Sequence, residues 1–141
     1  MKGFLIDTNV LSELRKGARA DVNVRHWFES VDENALFLSV LVTGEIRRGI
    51  EAIRKRDPRD ATSLERWLDS LMQAHLDRVL PVDAATADEW GRLDARGSLP
   101  VVDGLLAATA RVHDLTLVTR NVKDVIRTGI DVLDPFAPIA R

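Results

Sequence analysis

Hydrophobic and polar positions along this 141-residue chain alternate between two rhythms. Short unbroken apolar runs recur at Gly3-Phe4-Leu5-Ile6, Ala35-Leu36-Phe37-Leu38-Ser39-Val40, Val79-Leu80-Pro81-Val82, Leu115-Thr116-Leu117-Val118-Thr119 and Ile130-Asp131-Val132-Leu133. Runs of this length read as buried strands. Between them, apolar residues return every three or four positions, the helical period. Val10 to Arg15 predicts one or two helical turns stopped at Gly17. Asp21 predicts the cap of a helix carrying Val24, Trp27, Phe28 and Val31. Thr43 predicts the start of a helix with the stripe Val42, Ile46, Gly49, Ile50 and Ile53, which leaves Glu45 at the edge of the inward face. Asp57-Pro58 separates it from a helix through Leu64, Trp67, Leu68, Leu71 and Met72.

Pro81 pushes the third strand toward a sheet edge. A helix over Ala84 to Arg96 closes at Gly97. Pro100 opens the next one, with Val102, Leu105, Leu106, Thr109 and Val112 inward and Asp103 in its first turn. A short helix from Val122 to Arg127 precedes the last strand. Strands alternating with helices predict an α/β fold, a single domain over 1–141 with a mainly parallel central sheet of four to five strands flanked by helices. Trp27, Phe28, Phe37 and Trp67 fall on apolar stripes and are expected in the core. Ligands of such sheets sit beyond the carboxyl ends of the strands.

Composition narrows the class without naming a function. With 45% hydrophobic and 30% charged residues the chain is expected to fold as a globule. A net charge of −2 leaves a nucleic-acid partner open, since local patches outweigh the total. There is no cysteine, hence no disulfide framework and no thiolate metal site. The apolar run after Met1-Lys2 is too short for a secretion signal, and no stretch approaches a membrane span. The expectation is a soluble, cytoplasmic protein that engages no membrane.

Four acidic signatures then stand out in order: Leu5-Ile6-Asp7-Thr8-Asn9, Thr43-Gly44-Glu45-Ile46, Val102-Asp103-Gly104-Leu105, and Thr119-Arg120-Asn121-Val122-Lys123-Asp124. Each residue alone has an ordinary reading: Asp7 as a helix cap, Glu45 as a solvated helix residue, Asp103 as a partner of the helix dipole, Asp124 as a surface charge. Together they fall after strands and at the heads of helices along one sheet edge. Two like charges about 5 Å apart repel by roughly 3 kcal/mol at an effective dielectric near 20, so convergence into an oxygen cage calls for a cation. All-oxygen ligands suit Mg²⁺ or Mn²⁺ rather than zinc, and His26, His75 and His113 lack ligand spacing. Thr8 and Thr119, beside strand ends, are candidates to hydrogen-bond a ligating carboxylate, or simply to cap the backbone. The basic stretch including Arg47, Arg48, Arg54 and Lys55 starts on the helix of Glu45. It is a candidate guide for an RNA backbone, or a solvated helix face.

The set resembles the PIN-domain nucleases, and most closely the VapC toxins of type II toxin–antitoxin pairs, including the FitB-like branch. The resemblance runs nearly end to end, through Phe4 to Leu14, Ser39-Val40 to Gly49, Asp103 to Ala110 and Leu117 to Asp124. It implies that Asp7, Glu45, Asp103 and Asp124 are the acidic residues of catalysis, with Asp7 and Asp103 the firmest metal ligands. It places Thr119 at the family's hydroxyl position, and it leaves Asn121 where some relatives carry Asp. It further implies metal-dependent RNA cleavage with Mg²⁺ or Mn²⁺, a homodimer, and a VapB-like antitoxin that blocks the acidic cleft within a hetero-oligomer. A catalytically silent RNA-binding or scaffold module is the alternative. A receiver domain needs an acidic pair and a strand-end Lys that are missing here, and a haloacid-dehalogenase-like phosphatase needs Asp where Asn9 stands.

Overall fold

The computed structural model describes residues 2–138. Met1 and residues 139–141, the ends of the predicted domain, lie outside the described residues. The five strands are β1 (Phe4–Ile6), β2 (Leu36–Ser39), β3 (Val79–Leu80), β4 (Thr116–Val118) and β5 (Val132–Leu133). They form one parallel sheet in the order β3-β2-β1-β4-β5. The chain therefore starts in the middle, works outward to β3, and returns to the other side of β1 with β4. Strand order reverses between β1 and β4, which is where an open parallel sheet leaves a crevice. Pairing on both sides explains the unbroken apolar Phe4-Leu5-Ile6, and β3 does lie at an edge.

Among the described residues, seven α-helices cover the faces: α1 (Thr8–Leu14), α2 (Val22–Ser30), α3 (Val40–Arg54), α4 (Pro58–Ala74), α5 (Ala84–Arg96), α6 (Val101–Val112) and α7 (Val122–Val125). Their starts follow local chemistry. Asp21, Ser39, Asp57 and Asp83 each accept a hydrogen bond from a backbone N–H of the first turn, which satisfies a donor that has no partner inside the helix. The cap at Ser39 is a correction, because α3 begins three residues before the expected start at Thr43. Glu45 consequently sits in the second turn.

Leu5, Ile6, Leu38, Val42, Ile50, Leu106, Leu117 and Val118 form the heart of the core. Helix α6 differs from its predicted stripe. Gly104 and the run from Leu106 to Ala110 are all buried, whereas Val112 is exposed. Small side chains let α6 sit between α5 and the sheet. A Cβ on Gly104 would lie 3.0 Å from the Trp90 ring, so a larger residue there would press on that ring. Among the aromatic residues expected inside, Trp27 is buried and Phe37 and Trp67 are partly buried. Phe28 is 39% exposed instead. It lines an apolar groove of about 510 Å³ between α1, α2 and α4, together with Leu11, Leu14, Trp67 and Leu71.

Candidate active site at the carboxyl edge of the sheet

The carboxyl ends of β1 and β4 deliver Asp7 and Thr119, both nearly removed from solvent at 8% and 1% exposed. Asp7 is held from three directions. Its Oδ1 accepts from the Thr8 N–H at 2.7 Å, and its Oδ2 accepts from Thr119 Oγ1 at 2.8 Å and from Asn9 Nδ2 at 3.4 Å. Asp7 also precedes α1 as its cap, so the ordinary and the functional readings of this residue describe one geometry. Carboxylate oxygens have about four acceptor sites in all, and Asp7 keeps capacity for a further ligand.

The network extends to both sides. Thr8 Oγ1 donates to Glu45 Oε1 at 2.8 Å, which joins α3 to the start of α1. The Asn121 N–H donates to Thr119 Oγ1 at 3.1 Å, and Asn121 Nδ2 donates to Asp103 Oδ2 at 3.4 Å. A hydrogen-bonded line thus runs Glu45–Thr8–Asp7–Thr119–Asn121–Asp103 across the tops of β1 and β4. Asn121 works here as an amide donor that steadies a carboxylate. Burial pushes the Asp103 carboxyl above its usual value, and the negative charges of Asp7, Glu45 and Asp124 push it further, with the Asn121 bond opposing. Asp124, exposed on α7, belongs to the cluster through this field rather than through a hydrogen bond.

Asn9 was not singled out from the sequence as a site residue. It donates to Asp7 and Thr119 and accepts from the Arg120 N–H at 3.2 Å. Its place one residue past the Asp-Thr pair at a strand end was the available signal. The basic candidates lie elsewhere in arrangement. Arg47 and Arg54 are paired with Glu51 on α3 and Glu65 on α4, while Arg48 and Lys55 are exposed. Arg54 stands nine residues beyond Glu45, about 13 Å along the helix axis.

The donor set fits a hard, oxygen-loving cation, with a qualification about its form. Among the described residues no three acidic or histidine side chains stand together as a ready ligand group. The predicted cage is therefore an open cluster. Such a cluster suits an ion that keeps several waters and takes one or two protein carboxylates, the habit of Mg²⁺.

Against this geometry, the PIN domain matches residues 4–129 of the chain. The VapC ribonuclease Y4jK of Sinorhizobium fredii is 30% identical over 96% of this chain and 99% of that protein. Toxin FitB of Neisseria gonorrhoeae is 26% identical over 94% and 98%. The crystal structure of FitAcB from Neisseria gonorrhoeae superposes with a TM-score of 0.86 at 26% identity, covering 94% of this chain and 98% of that one.

Proposed function

The chain belongs to the PIN-domain family, and from that membership we propose that it is a metal-dependent endoribonuclease, the toxin of a VapBC-type toxin–antitoxin pair. The observation that carries the reading is the hydrogen-bonded line from Glu45 to Asp103 at the switch point of the sheet. PIN ribonucleases depend on metal in general. For this chain the metal is Mg²⁺ or Mn²⁺, with Asp7 and Asp103 as ligands and Glu45 and Asp124 adding charge. A bound divalent ion supplies an acidified water and a partner for charge building on the phosphate.

The remaining chemistry belongs to the side chains. Thr119 and Asn9 fix the plane of the Asp7 carboxylate, and Asn121 does the same for Asp103. Thr8 occupies Glu45 Oε1, which leaves Oε2 to orient the attacking water and receive its proton. The water oxygen bonds to phosphorus as the phosphorus–oxygen bond to the leaving nucleotide breaks, and the departing oxygen takes up a proton from solvent. Arg48 and Lys55, exposed on and just after α3, guide the RNA toward the cleft.

A helix of the antitoxin has a matching seat in the apolar groove between α1, α2 and α4. Arg25 lines it, and its buried Nε has no partner among the described residues, so an acceptor on that helix completes the fit. The protein acts as a homodimer in the cytoplasm. No described helix is long and apolar enough to cross a membrane.

The test is RNA cleavage by the purified protein with Mg²⁺ or Mn²⁺, with EDTA, and with Asp7→Asn. Cleavage that EDTA abolishes and that Asp7→Asn removes from a folded protein is the expected outcome. The lack of a closed ligand group favours one second reading, a silent RNA-binding or scaffold module. Calorimetric titration with Mn²⁺ separates the two: no metal binding, together with no cleavage, leaves the silent module.

A further inference from the structure

One guanidinium stands beside the acidic cluster without joining its hydrogen-bonded line. Arg120 directly follows Thr119, so it leaves β4 where the network is anchored. Its backbone N–H is held by Asn9 Oδ1, and its neighbours on both sides bond into the cluster, Thr119 to Asp7 and Asn121 to Asp103. Arg120 itself is exposed. Among the described residues it forms no ion pair with a carboxylate. Its guanidinium carbon instead lies 4.5 Å from the centroid of the Phe136 ring.

The platform under this guanidinium is fixed independently of it. The Phe136 N–H donates to Asp134 Oδ1 at 2.9 Å, and the Phe136 carbonyl accepts from Asn23 Nδ2 on α2 at 2.9 Å. The ring also packs against the edge of the core. Phe136 follows β5, whose carboxyl end lies on the same side of the parallel sheet as those of β1 and β4. It therefore stands on the rim of the cleft.

Geometry decides what this stack leaves free. A guanidinium lying on a ring uses its face, through attraction to the ring quadrupole. Its five N–H donors form a rigid fork that matches two oxygens of a phosphate, and among the described residues none of them makes a hydrogen bond. Where Arg47 and Arg54 spend their donors on Glu51 and Glu65, Arg120 spends none on a carboxylate.

We propose that Arg120, oriented by Phe136, grips a backbone phosphate of the RNA next to the one being cleaved. The inference rests on the ribonuclease reading and deepens it by assigning the side of approach: the strand crosses the rim over β4 and β5. Arg120 is then a substrate-positioning residue. It compensates on the RNA side for the repulsion between the phosphates and the acidic cluster.

The probe is a fluorescently labelled single-stranded RNA oligonucleotide, bound to Asp103→Asn protein so that it stays intact. Arg120→Ala, Arg120→Lys and Phe136→Leu are each added to that background and measured over a salt series. The same three changes in otherwise wild-type protein are followed by steady-state cleavage. Arg120→Ala is expected to weaken binding about tenfold and to reduce the slope of log K against log salt by about 0.7, one phosphate contact on a single strand. Arg120→Lys restores the slope but only part of the affinity, because a point charge replaces a fork. Phe136→Leu weakens binding with the slope retained. In cleavage the loss falls on KM and spares kcat. Unchanged affinity and slope in Arg120→Ala overturn the proposal. So does a loss of thermal stability in that variant without a binding change, which makes Arg120 a tail anchor. If the parent binds no RNA and the wild type cleaves none, the ribonuclease reading falls and takes this one with it.

Discussion

Helix α3 carries two groups of charge that follow opposite rules. Near its start, Glu45 joins Asp7, Asp103 and Asp124 at the carboxyl edge of the sheet, and among the described residues no Lys or Arg forms an ion pair with any of the four. Further along, Arg47 and Arg54 share Glu51 and Glu65 in a closed, partly exposed network. The second group is balanced within the protein. There Arg47 and Arg54 are raised, and Glu51 and Glu65 lowered, each first by a hydrogen bond to a partner of opposite charge. The first group is unbalanced, and Asp103 is raised by burial and by its like-charged neighbours. Hydroxyls and amides orient Asp7, Glu45 and Asp103 without neutralising them. On the proposed reading, the unbalanced group is the one that takes a cation from solution.

The sharpest way to break the comparison is Asp103→Asn. It keeps shape and removes one charge. Cleavage is expected to fall by on the order of 10³-fold, about 4 kcal/mol in the barrier. Metal-free stability moves the other way, because the change relieves repulsion. Thermal unfolding in EDTA should show the variant melting above the wild type. A variant that melts lower and still cleaves would place the charge balance elsewhere.

Acidity gives that same pair of proteins a second readout. The folded Asp103 binds its proton more tightly than an unfolded Asp with its usual value near 3.8. Over the window from that value upward to the raised one, the native state holds more protons, so stability falls as pH rises. Without metal, the excess stability of Asp103→Asn over wild type is therefore expected to grow as pH rises from the usual Asp value of 3.8 through the raised value of Asp103, and then to level off. Added Mg²⁺ shrinks the gap at the high end, where the carboxylate is free to bind it. A gap that narrows with rising pH in EDTA contradicts the assignment of the shift.

Thr119→Val tests orientation rather than charge. The valine fills the same buried volume and loses the donor to Asp7 Oδ2. Loss of such a positioning bond costs about 10- to 100-fold in metal affinity or rate. Cleavage measured across a Mg²⁺ titration should show a higher metal requirement, part of which excess metal restores.

How much of this could be read in the sequence depended on how local each cause was. The α5 boundaries, Ala84 and Arg96, follow from Asp83 and Gly97 at its two ends, and both lie in the helix's own neighbourhood. The start of α3 lies earlier than expected because Val40-Leu41-Val42, an apolar run with two β-branched valines, continues a strand on paper, while Ser39 caps a helix in the fold. Phe28 sits on a helical apolar stripe, yet that stripe faces an open groove. The acidic residues were legible as a motif, since Asp7 follows a strand and Asp103 and Asp124 stand in the first turns of helices, whereas Glu45 lies one turn into α3. Their connection was not. Asn9 meets Thr119 across 110 positions and the Arg120 backbone across 111, and no local pattern encodes such a meeting. That the cluster is open rather than a closed cage also depended on side-chain placement alone.

The smallest effect belongs to the balanced group. Glu65→Gln removes the carboxylate that Arg47 and Arg54 share across α3 and α4, but each arginine keeps Glu51. Exposed pairs of this kind contribute little, because water and salt already screen them. Cleavage is expected to stay within about twofold of wild type, with a slight rise in RNA affinity at low salt, since half-released guanidiniums become available to phosphate. Adding Glu51→Gln frees both arginines and should enlarge that rise, still without a change in kcat. RNA binding over a salt series, beside kcat from steady-state cleavage, measures both. A large fall in kcat from Glu65→Gln would mean that the hairpin of α3 and α4 sets the position of Glu45. The two groups of charge would then be one device instead of two.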